Sequence, residues 1–156
     1  YSRDHDGDGL LEYAQSFRST VGRRDGLFWP AREGEPESPL GELAAAAAAE
    51  GYSWSSGGYH GYHYRLLTAQ GPGAPGGAYD FLARDDQIGG FAVLAFPAAY
   101  GDSGVMSFMT SHAGIVYQAD LGPDTASVVE EITVFDPVEP WHAVPDTDLE
   151  PLPALR

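Results

Sequence analysis

An α+β fold, with short N-terminal helices packed on an antiparallel β-meander, is what the sequence of 156 residues predicts, and three observations carry that expectation. The 20 glycines and 12 prolines are too many turn-formers for a helical bundle. Leu10, Tyr13, Ala14 and Phe17 recur at i, i+3, i+4 and i+7, the period of an amphipathic helix. From Tyr59 onward, aromatic and β-branched runs are separated by glycine turns, the pattern of strands joined by hairpins. A chain of this length buries roughly 70% of the surface its unfolded form exposes, and a 43% hydrophobic content supplies the core.

The elements follow in order. The first helix is expected from Leu10 to near Gly22. Asp25-Gly26 makes a turn, Leu27-Phe28-Trp29 is a short extended piece, and Pro30 ends it. Ser38 and Pro39 stand as N-cap and first residue of a second helix, with Glu42 in its first turn, six consecutive alanines, and a stop at Glu50-Gly51. Strands are expected near 59–69, 78–83, 89–96, 104–110 and 114–119, with hairpin turns at Asp85-Asp86 and His112-Ala113-Gly114. The stretch Gly71 to Gly77 reads as a rigid loop, because two prolines fix φ inside it. A third short helix, capped by Gly122-Pro123-Asp124-Thr125, is expected through about Ile132, ended by Phe135-Asp136-Pro137. Residues 1–144 form one α+β domain in this reading, and 145–156 an extended acidic, proline-rich tail. The opening at Tyr1 without a methionine reads as a fragment of a longer precursor.

The formal net charge is −15, and all eight cations are arginine. Nucleic acid and anionic membrane are therefore poor partners. No cysteine is present, so neither a disulfide nor a thiolate metal site can form. No apolar stretch approaches the roughly 18 residues of a membrane-spanning helix.

The sharpest chemical signal is Asp4-x-Asp6-x-Asp8-Gly9, with Glu12 three residues on. Ca²⁺ takes six to eight oxygens at about 2.3–2.6 Å, and alternating aspartates on a tight turn aim carboxylates at one point. Counted as an EF-hand loop, Asp4, Asp6, Asp8 and Gly9 hold its first, third, fifth and sixth places. The Leu10 carbonyl is seventh and Glu12 ninth, whereas Gln15 stands where a bidentate glutamate is usual. The expected metal set is thus Asp4, Asp6, Asp8, Leu10 and Glu12, holding Ca²⁺ in a structural role. The alternative is a solvated acidic turn, in which like charges repel by about 1 kcal/mol per close pair in water.

Weaker patterns are also present. His60 and His63 would share a helix face but point to opposite faces of a strand, and their aromatic context reads as strand. Ser103, His112 and Asp120 sketch a hydrolase, with Gly101-Asp102-Ser103-Gly104 as nucleophile loop, but the nucleophile-elbow pattern is missing. Tyr52, Trp54, Tyr59, Tyr62 and Tyr64 could form a glycan platform or line the core face of a sheet. The loop from Gln70 to Gly77 lacks the lysine and hydroxyl of a phosphate-binding loop, and its two prolines remove backbone donors.

Several long motifs resemble the DUF2950 family. They include Asp6-Gly7-Asp8-Gly9-Leu10-Leu11-Glu12-Tyr13-Ala14-Gln15, Asp25-Gly26-Leu27-Phe28-Trp29-Pro30 and the run from Tyr59 to Gly71. Ala74 to Asp80, Ile88 to Ala92, Tyr100 to Met106 and Val116 to Thr125 extend the likeness to nearly the whole chain. The resemblance implies an exported bacterial protein without an assigned function, periplasmic or extracellular. It also implies a pilin- or pseudopilin-like architecture and a preceding N-terminal half that packs on this domain. His63 stands where that family often has an aromatic residue, which speaks against a metal role for it. Together these readings give a calcium-stabilised, non-enzymatic domain that works by binding or assembly at the cell envelope. Its partner would be an envelope protein, a glycan or another copy of itself.

Overall fold

The computed structural model describes residues 2–4, 8–31, 34, 38, 40–41 and 60–145. Its N-terminal part contains four short strands, β1 (Ser2–Arg3), β2 (Glu12–Tyr13), β3 (Ser16–Arg18) and β4 (Gly26–Phe28). β1 pairs antiparallel with β2, and β3 pairs parallel with β4. The chain then supplies β5 (Tyr62–Leu67), β6 (Ala69–Gln70), β7 (Tyr79–Asp80), β8 (Leu82–Ala83), β9 (Asp86–Gln87) and β10 (Ala92–Pro97). β11 (Met106–Ser111), β12 (Val116–Asp120), helix α1 (Thr125–Glu131) and β13 (His142–Ala143) complete it.

The central sheet has the order β13-β12-β11-β10-β5, and every neighbouring pair in it is antiparallel. Alternation sets its two faces. Leu67, Ala92, Leu94, Met109 and Ala119 point to one face and are buried there. Val129 of α1 with Phe81 and Phe135 from the connecting segments packs against this face. Phe81 and Phe135 are fully buried, and burial of each side chain stabilises the fold by about 2–3 kcal/mol. Leu66 and Val93 belong to the other face, where Tyr13, Ala14, Leu27 and Phe91 close with them around a small apolar cavity of about 80 Å³. The N-terminal strands therefore lie over the β5–β10 part of the second face, fixed by Tyr13 on Phe91 and Phe17 on Tyr64.

This is a mainly β structure, and the expected α+β class with short N-terminal helices packed on a β-meander is not what forms. A single short helix, α1, lies wholly within the described residues. Where the first helix was expected, residues 12–13 and 16–18 are strands. Isolated helices shorter than about 12–15 residues are marginal in water, and here the extended chain finds partners in β1 and β4. Leu10, which a helix would have buried with Tyr13 and Ala14, stays 45% exposed, and Leu11 66%. The pilin-like arrangement expected of short N-terminal helices on the sheet is not formed among the described residues. Of the second expected helix, Ser38 is buried and its carbonyl accepts a hydrogen bond from the Gly41 amide at 2.9 Å. Its alanine run lies outside the described residues.

The expected strand 78–83 is broken at Phe81, whose amide donates to the Thr68 carbonyl at 2.8 Å. The chain turns there, so β7 pairs with β6 while β8 pairs with β9. α1 forms where expected; Thr125 Oγ1 donates to the Gly122 carbonyl at 2.6 Å and closes its first turn. At the far end, the Arg65 guanidinium of β5 donates to the carbonyls of Val129 and Ile132. The guanidinium thus gives the Ile132 carbonyl, at the C-cap, a side-chain donor, and the Val129 carbonyl, which also accepts from the Ile132 amide at 3.2 Å, a second one.

Candidate functional site

The acidic loop joins β1 to β2. Asp4 Oδ2 accepts a hydrogen bond from the Gly9 amide at 3.1 Å, and Asp8 Oδ1 accepts one from the Leu10 amide at 2.7 Å. Gly9 has φ +93°, a backbone state in which an L side chain is strained. The turn thus folds the first and fifth places of the expected loop around its sixth. Asp4 is half-buried, Asp8 and Leu10 are exposed, and Glu12 is buried at 8% exposure. Asp6 lies outside the described residues. Among the described residues, no three carboxylate or imidazole groups converge closely enough to hold a metal ion.

Beyond Glu12 the chain borders an open cleft of about 240 Å³. Glu12 of β2 and Gln15, Arg23 and Asp25 of the neighbouring connections line it on one side, and Asp85 and Asp86 of the β8–β9 hairpin on the other. Gln15 Nε2 donates to the Asp85 carbonyl at 2.5 Å, so the residue at the twelfth loop place is bound to a hairpin 70 residues away. Partial burial alone would raise the Asp25 carboxyl. Hydrogen bonds from Thr20, with its own amide and Arg23 nearby, outweigh that and hold it below its ordinary value.

The glycine- and proline-rich loop folds around the Gln70 side chain and against Asp136. Gln70 Nε2 donates to the carbonyls of Pro75 and Gly77 at 2.8 and 2.6 Å, and the Gly73 amide donates to Asp136 Oδ1 at 2.8 Å. A profile of the family described as a protein of unknown function (DUF2950) matches residues 1–144 of this chain. The chain belongs to the DUF2950 family. No curated protein and no solved structure matches it.

In this DUF2950 chain the residues of the sketched hydrolase are kept apart. Ser103 Oγ donates to the Ala99 carbonyl at 3.2 Å and accepts from the Ala99 amide at 3.0 Å, which makes it a turn clasp. Ser103 precedes β11 and His112 follows it, so the length of a six-residue strand, about 20 Å, separates them. His112 Nε2 instead meets the Tyr79 hydroxyl at 3.0 Å, with its ring edge-on to Phe81. Asp120 Oδ1 accepts from the Tyr100 hydroxyl and the Gly122 amide, both at 2.9 Å. That hydrogen bond, with some burial and the carboxylate charge, raises the Tyr100 hydroxyl above its ordinary value.

His60 and His63 are likewise separate: His60 sits in the turn before β5, and His63 packs on Phe96. Of the aromatics considered for glycan, Tyr52, Trp54 and Tyr59 lie outside the described residues. Tyr62 is half-buried, with its hydroxyl donating to the Met106 carbonyl at 3.1 Å, and Tyr64 packs on Phe17. The cleft residues Arg23, Asp25, Asp85 and Asp86 were not legible as a group. Asp25-Gly26 and Asp85-Asp86 carried local signals, and those signals were for turns.

Proposed function

We propose that this DUF2950 domain is a calcium-stabilised, exported, non-enzymatic module with a binding or assembly role at the cell envelope. Asp4, Asp6, Asp8, the Leu10 carbonyl and Glu12 are the proposed ligands. The observation that carries the reading is the turn in which Asp4 and Asp8 hold the amides of Gly9 and Leu10 around a glycine at φ +93°. Such a turn brings acidic side chains together, and a divalent cation offsets their mutual repulsion. The role is structural, because fixing this loop sets where β2 enters the fold.

The compartment follows from the affinity. Gln15 replaces the bidentate carboxylate and donates its amide elsewhere. The site therefore belongs with the weak calcium sites of extracellular modules, whose Kd is roughly 0.1–1 mM. Such a site fills where calcium is millimolar, outside the cytosol. A net charge of −15 then directs the module towards neutral or cationic partner surfaces and away from nucleic acid.

Thermal unfolding with and without 5 mM Ca²⁺ tests the reading, with Mg²⁺ and an Asp4→Asn/Asp8→Asn variant as controls. A ligand present at about ten times its Kd stabilises the native state by about 1.4 kcal/mol. For a chain of this size that is a rise in Tm of roughly 3–6 °C. The rise is expected with Ca²⁺ alone and is expected to vanish in the variant. An unchanged Tm, or an equal rise with Mg²⁺, would overturn the proposal.

A further inference from the structure

We draw no further inference here: the strongest candidate, the cleft that Glu12, Asp25, Asp85 and Asp86 line between the N-terminal strands and the β8–β9 hairpin, is an acidic cluster with no second observation in the structure that points to a ligand.

Discussion

Gly90 shows how a single position ties the chain to its aromatic neighbours. Its φ is +145°, and a Cβ built there would stand 2.4 Å from His112 Nδ1. The bare backbone lets the His112 ring lie beside Phe81 and Phe91 and meet the Tyr79 hydroxyl. Gly90→Ala is therefore expected to cost about 1–3 kcal/mol in strain, read from the midpoint of chemical unfolding. His112→Ala in the same chain should recover the part of that loss due to the clash and leave the part due to φ. The double variant should then be more stable than the sum of the single losses predicts. The sequence shows a glycine pair at 89–90, but the ring that makes the second glycine necessary arrives from the turn after β11.

Contacts between elements decide how α1 and the N-terminal strands are held. Arg65 carries the end of α1, and Arg65→Met keeps most of the apolar stem while removing the donors to Val129 and Ile132. Removing the guanidinium should cost about 1–3 kcal/mol, chiefly at the Ile132 carbonyl, because Val129 keeps its bond from the Ile132 amide. The loss should appear as faster amide exchange over residues 125–132. At the cleft, Glu12 and Asp25 line one opening together with Asp85 and Asp86 of the β8–β9 hairpin, with Arg23 as the cation among the lining residues. Replacing Asp85 and Asp86 with asparagine should raise stability by about 0.5–1 kcal/mol in dilute buffer, the size of an exposed charge interaction. The gain should shrink towards zero near 1 M salt, where the screening length is about 3 Å. Unfolding curves at the two ionic strengths check it.

Across the whole molecule, high pH should weaken the fold through its tyrosines. Burial raises the Tyr62 hydroxyl above its ordinary 10.0. Between that value and the higher folded one, the unfolded chain loses a proton that the folded chain keeps. The contribution is thus complete below pH 10 and is lost as pH rises through the folded value. Tyr62→Phe should flatten this part of the alkaline fall in Tm, against a small constant cost from the lost hydrogen bond to Met106. Strands 62–67, 92–97, 106–111 and 116–120 lie within or close to the expected spans, because alternation and glycine turns are local signals. Motifs over nearly the full length were enough to indicate the family, which the match over residues 1–144 bears out. The first helix misled because apolar residues at helical spacing in a short segment also fit two strands, and the choice depended on β1, β4, Phe91 and Tyr64 as partners. The sequence by itself determined the main strands, the family, the absence of thiol chemistry and the order of acidic residues in the loop. Tertiary structure alone decided that residues 12–13 and 16–18 are strands and that Gln15 is bound to Asp85, because each depends on residues distant in the chain becoming neighbours.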